Sequence, residues 1–208
     1  MGLLSGAVSY LRFVANPVPE GFEEPYCDML AQHAFHEIDP RSELEESVGW
    51  VQADDAFAAE FDPRTLVSSS GHIVLRLRVD KLKIPAGTLK AYVDKAAKET
   101  AVKAGRDKLN KRETDALKLE IKKQLRVRSL PRMTLLEVVW SVATGEVRLM
   151  STSRAVAAVF IDKFEKTFAQ ALQPVGLQTI LWLRGMGEAE RDSLGLLEPE
   201  RFHLARTA

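Results

Sequence analysis

The run from Gly71 to Ile84 constrains the fold more than any other stretch. Ile73, Leu75, Leu77 and Val79 fall on one side of an extended chain, and Val74, Arg76, Arg78 and Asp80 on the other. A strand with one apolar and one largely charged face belongs in a sheet covered on one side. Antiparallel neighbours supply that more readily than a parallel sheet buried on both faces. At Lys81 the phase shifts and Leu82 and Ile84 take over the apolar positions, which predicts a bulge or bend as the chain leaves the sheet.

The remaining elements fit around that strand. Residues 7 to 14 alternate as a first strand, and a helix follows over about Phe22 to Phe35, with Tyr26, Met29, Leu30 and Ala34 on its apolar side. Residues 38 to 46 read as a polar, acidic loop, and Val48 to Gln52 as a short strand. Pro85 and Gly87 open a helix whose stripe is Leu89, Val93, Ala96 and Ala97, ending near Ala104 and Gly105. Asn110 with Glu113 is a capping pair for a second helix with the narrow stripe Leu117, Ile121 and Leu125. Leu135 to Val142 and Glu146 to Met150 flank Ala143, Thr144 and Gly145 as a β-hairpin. Ser153 caps a helix in which Val156, Phe160, Phe164, Phe168 and Leu172 recur every four residues, and Val175 to Trp182 reads as a final strand. Trp140 and Trp182 are expected in the core.

Strands in runs, interrupted by single packing helices, predict an α+β fold: an antiparallel-rich sheet with packing helices and a protruding helical-hairpin tip. The expected division is a body of residues 1-84 and 133-183, a basic tip of 85-132 and a C-terminal tail of 184-208, which docks loosely on the body as a short helix.

Charge supplies the functional hint. The 208 residues carry a net charge of zero, yet Arg76 to Arg132 holds 18 Lys or Arg against 7 Asp or Glu, a net +11. The remainder has 11 basic and 22 acidic residues, a net −11. Such segregation points to a polyanionic partner more strongly than overall charge does. On the second hairpin helix Lys118, Lys122 and Arg126, four residues apart, predict a basic ridge with Lys111, Lys123 and Arg128 nearby. Arg76 and Arg78 share a face of the strand that feeds the tip, and Lys81 and Lys83 follow. Tyr92 is the one aromatic residue between Arg76 and Arg132, so a stacking platform for single strands is disfavoured and duplex preferred. On the residues alone, plain solvation of a Lys-rich surface and docking of an acidic protein stay open beside DNA binding.

Other chemistry finds less support. His33, His36 and Glu37 could suggest a metal site, but His33 and His36 are three apart with no third ligand placed by the sequence, so no metal site is expected. Glu43, Glu45, Glu46, Asp54, Asp55, Glu60 and Asp62 fall in loops, where solvation, or repulsion of DNA toward the basic side, is preferred to Mg²⁺ binding for nuclease chemistry. Cys27 is the single cysteine, which excludes an internal disulfide, and it is assigned to packing. No nucleophile elbow, phosphate-binding glycine loop or paired-Cys zinc pattern occurs. No signal peptide or run of about 20 apolar residues is recognisable, so the expectation is a cytoplasmic protein without a membrane segment.

A set of segments in order resembles the recombination-associated RdgC family of bacterial proteins over about residues 8 to 182. It comprises Val48-Gly49-Trp50-Val51, Gly71-His72-Ile73-Val74 running into Leu82-Lys83-Ile84-Pro85, the Lys-rich helical pair to Leu130-Pro131-Arg132, Glu137-Val138-Val139-Trp140, and Leu172-Gln173-Pro174-Val175. The resemblance implies an α+β body with a helical tip, a ring-shaped homodimer, and sequence-independent duplex DNA binding in the nucleoid. It further implies interference with recombinase loading. The residues themselves lead to the expectation of no enzymatic activity and no cofactor. Against the family pattern the chain is shortened, without the C-terminal third used to build the ring, so an open clamp or another oligomer is expected in place of a closed ring. The expected phosphate contacts are Arg76, Arg78, Lys81, Lys83, Lys111, Arg112, Lys118, Lys122, Lys123, Arg126, Arg128 and Arg132. The alternative is a protein-interaction module whose basic tip docks an acidic partner or another copy of itself.

Overall fold

The computed structural model describes residues 8–176, together with 179, 187, 189 and 193. Its elements run β1 (Leu11–Val14), α1 (Glu23–Gln32), β2 (Glu46–Gln52), β3 (His72–Lys81), α2 (Ala86–Lys103), α3 (Lys111–Arg128), β4 (Arg132–Ser141), β5 (Glu146–Leu149), α4 (Arg154–Phe168) and β6 (Gln173–Pro174). The strands form one sheet in the order β2-β3-β4-β5-β1-β6, antiparallel at every junction. The α+β class read from the alternation is therefore the observed one.

Register explains why one face is the core. Trp50, Leu77 and Leu136 stand in one cross-strand row, and Ile73, Trp140, Val147 and Phe13 in another. All seven are buried, under a cover that includes Tyr26, Cys27 and Leu30 of α1 and Phe160, Phe164 and Phe168 of α4. Spacing of four residues puts the three phenylalanines on one side of α4, and Trp140 packs edge-on to both Phe164 and Phe168 with ring centroids 5.1 Å apart. Each such side chain gains about 1.5–3 kcal/mol on burial, so this aromatic layer is the principal stabilising cluster. Trp50 keeps its indole N–H satisfied by donating to Thr167 Oγ1 at 2.8 Å.

The opposite face of the sheet is covered at the β2 end. The chain beyond α1 doubles back so that Phe35 lies over Gly49, where a Cβ would sit 2.3 Å from the Phe35 Cα. Only glycine admits that approach. Gly49→Ala is expected to lower unfolding stability by about 3 kcal/mol, because the atoms that the new Cβ meets belong to the backbone of Ala34 and Phe35 and cannot rotate away. Urea denaturation checks this; an unchanged midpoint would mean that the Phe35 segment shifts at no cost.

Several boundaries differ from the pattern. Pairing of β3 with β2 and β4 runs unbroken to Lys81, so no bulge forms there. The strand instead ends, and Leu82 is buried with its N–H on the Glu45 carbonyl. Expected strand Val175 to Trp182 is displaced: the last strand residues are Gln173–Pro174, Val175 and Gly176 lie outside it, Thr179 is helical, and 177–178 and 180–182 fall outside the described residues. Trp182 and most of the expected C-terminal tail also lie outside them. The caps agree with the pattern. Asn110 and Glu113 close a reciprocal capping box at α3, and Ser153 Oγ accepts the Val156 N–H at α4. Gly145, at φ +69°, turns the β4–β5 hairpin with its Cα against the Ala15 carbonyl. No helix among the described residues is long and apolar enough to cross a membrane.

Candidate nucleic-acid interface

α2 and α3 pack against each other, with Val93 and Ala101 of α2 and Ile121 of α3 buried. The tight turn between them uses Gly105 at φ +65° and is tied by Arg106, whose guanidinium donates to Glu113 Oε1 at 3.0 Å. Backbone and side-chain hydrogen bonds from Asn110 and Arg106 hold the Glu113 carboxyl below its ordinary range, which keeps the cap charged. With only a narrow buried stripe, most of the helix surface is left to solvent, and there the cations collect.

Seven of the twelve expected contacts, Lys83, Lys111, Arg112, Lys118, Lys123, Arg128 and Arg132, are exposed, and their side chains make no hydrogen bond or ion pair among the described residues. At 3.6 residues per turn, Lys111 and Lys118 form one row on α3, and Arg112 with Lys123 a second about a third of a turn away. Lys81 at the end of β3 is exposed and pairs with Glu46 at 3.2 Å, a contact that a competing phosphate displaces at little cost. Arg76 lies on the uncovered part of the sheet, 3.9 Å from Glu137. Beside them the sequence reading passed over Lys90, Lys95, Lys98 and Lys103 of α2 and Lys108 in the turn, all exposed. Their signal was the same excess of positive charge, without a four-residue period to single them out.

Two expected contacts, Arg78 and Arg126, are buried and engaged with protein partners. Arg78 is 4% exposed, its Nε and Nη2 donate to the two carboxylate oxygens of Asp80 at 3.0 and 2.7 Å, and Nη1 donates to the Ala56 carbonyl. Its guanidinium lies 4.0 Å from the Phe35 ring centroid and 5.0 Å from that of Phe57. In this arrangement Arg78 is a packed structural residue with no face free for a phosphate. Arg126 is 5% exposed and donates to the Pro40 and Leu44 carbonyls at 3.3 and 2.8 Å, fastening the acidic loop to α3. Lys122 beside it meets Glu45 at 2.9 Å. The predicted ridge of Lys118, Lys122 and Arg126 is therefore open to solvent at Lys118, half-exposed and paired with the loop at Lys122, and buried beneath the loop at Arg126. The hydrogen bond and charge of Lys122, aided by Arg126 and Lys83, hold the Glu45 carboxyl below its ordinary range. This contact is present at neutral pH and is lost as pH falls through that lowered value.

The remaining candidates resolve into packing and local pairing. Cys27 is buried, and burial together with Asp62 and Asp28 pushes its thiol up. Burial and the charge of Lys163 push His33 down. Among the described residues no three His, Cys, Asp or Glu side chains converge at metal-ligand spacing. Trp140, expected in the core, is there, with no partner for its indole N–H among the described residues. On the sheet's second face, burial pushes Glu146 up, but hydrogen bonds from Arg148 and Arg12 outweigh it and leave the carboxyl below its ordinary range.

No curated protein matches the chain. The family model described as "Putative exonuclease, RdgC" matches residues 22–180, well over half of the 208 residues, from α1 through every later strand and helix to β6 and beyond, with β1 outside the match. This chain belongs to the RdgC family.

Proposed function

We propose that the chain binds duplex DNA without sequence preference through the cations of α2, α3 and the adjoining ends of β3 and β4, and that it does so without cutting DNA. The family is associated with recombination and DNA binding. The observation that carries the reading is the set of exposed, unpaired cations on α3 and its approaches in a chain whose other parts are acidic. Such cations position a phosphate backbone and read no bases. In this reading residues 85-132 act as a tip on a body formed by 1-84 and 133-183. Homodimerisation, residence in the nucleoid and limitation of a recombinase's access to DNA belong to the same proposal.

Fluorescence anisotropy against unrelated duplexes of equal length, at several salt concentrations, tests it. With roughly six phosphate contacts, log affinity should fall with log salt at a slope near −5, about a thousandfold between 50 and 200 mM. Affinities should not depend on duplex sequence. Absence of binding at low salt would overturn the proposal. Release of nucleotides in Mg²⁺ or Mn²⁺ would establish the activity named in the family's description and overturn the non-catalytic reading.

A further inference from the structure

The acidic loop and α3 enclose a cleft lined by cations, of which Arg126 is buried while Lys122 and Lys123 stay accessible to solvent. Pro40, Arg41, Ser42 and Glu43 form one wall, and α3 forms the other with Leu119, Lys122, Lys123, Arg126 and Val127, around about 420 Å³. Two properties set it apart from the open basic surface. Its walls are held in place, because Arg126 binds the Pro40 and Leu44 carbonyls while it is nearly buried. That leaves Arg126 Nη1 with one long ionic contact, 3.9 Å to Glu45 Oε1, and no hydrogen bond among the described residues. The cleft also carries an apolar strip: Leu119 and Val127, two turns apart on α3, are 58% and 57% exposed beside the cations.

A phosphodiester backbone has no use for that strip, whereas a peptide combining carboxylates with an apolar side chain matches both parts. We propose that this cleft binds an acidic peptide segment of a partner protein, with one apolar side chain seated between Leu119 and Val127. Its carboxylates take the places around Arg41, Lys122, Lys123 and Arg126. One incoming carboxylate substitutes for Glu45 on Lys122, exchanging one exposed ion pair for another, while the apolar anchor adds area removed from water. Charge alone would accept any acidic chain; the strip selects those with an anchor at the right place.

The test uses the full chain and a fluorescein-labelled octapeptide of Asp and Glu with one central Leu, beside a counterpart with Ser at that place. The Leu peptide should bind about tenfold more tightly than the Ser peptide. Leu119→Ser and Val127→Ser, both exposed and absent from the proposed DNA contacts, should remove that preference and leave duplex affinity unchanged. Equal binding of the two peptides, or a preference that survives both substitutions, would overturn the proposal. Loss of duplex affinity in Leu119→Ser would overturn it too, by assigning the cleft to DNA. Failure of DNA binding by the unmodified protein bears on the proposed function and leaves this result standing.

Discussion

Replacing Asp80 with Ala should destabilise the protein by about 3–5 kcal/mol, among the largest effects expected of any single side chain in the structure. Asp80 is 2% exposed, and its carboxylate is the counter-ion of a guanidinium that is 4% exposed. Without it Arg78 stays buried with a carbonyl of Ala56 and two aromatic faces for company, and none of these replaces a full negative charge. The damage should spread, because Arg78 connects three parts of the chain: β3 itself, Phe35 beyond α1, and the loop of Ala56 and Phe57. Replacing both members with Leu removes two buried charges together and should cost far less than Asp80→Ala, since a lone buried charge is the expensive state. Thermal or urea unfolding of the single and double variants decides it. If Asp80→Ala were as stable as the unmodified protein, Arg78 would have to be reaching solvent, and its return to the candidate phosphate contacts would follow.

That pair also marks where sequence alone ran out. Period-two alternation placed Ile73, Leu75, Leu77 and Val79 correctly because their neighbours across the sheet repeat the same pattern. It also assigned Arg78 and Asp80 to the other face, again correctly, but a face is not yet an environment. What buries them is a segment some forty residues earlier, returning over Gly49, and no local period encodes that return. One trace was available: opposite charges two residues apart on one side of a strand can pair without any partner from elsewhere. The burial of Arg126 escaped the sequence for a related reason. Four-residue spacing grouped Arg126 with Lys118 and Lys122, yet each four-residue step drifts about 40° around the axis, so over the two turns from Lys118 the direction changes by about 80°, enough for Lys118 to face water while Arg126 faces backbone carbonyls. The capping residues Asn110, Glu113 and Ser153 were legible because a cap is made within three residues of itself.

Reversing Arg112, Lys118 and Lys123 to Glu should cost duplex affinity several hundredfold or more at about 0.1 M salt, and should flatten the salt slope by roughly 3. Each phosphate contact releases close to 0.9 of a counterion, so three contacts are worth nearly three decades between 0.1 and 1 M salt, before the repulsion of the new carboxylates is counted. These three are chosen because each is exposed and free of hydrogen bonds or ion pairs among the described residues, so the fold should not register their loss. Arg126 is left out, since its replacement would release the Pro40–Leu44 loop and confound binding with structure. The matching control reverses Arg64, Arg154 and Lys166, which changes net charge by the same amount outside the basic segment. A general electrostatic attraction would weaken equally in both sets, whereas an interface on α3 loses affinity and slope in the first alone. Equal losses, or an unchanged slope in the first set, would move the DNA contacts away from α3, and the exposed α2 lysines Lys90, Lys95, Lys98 and Lys103 would be the next cations to reverse.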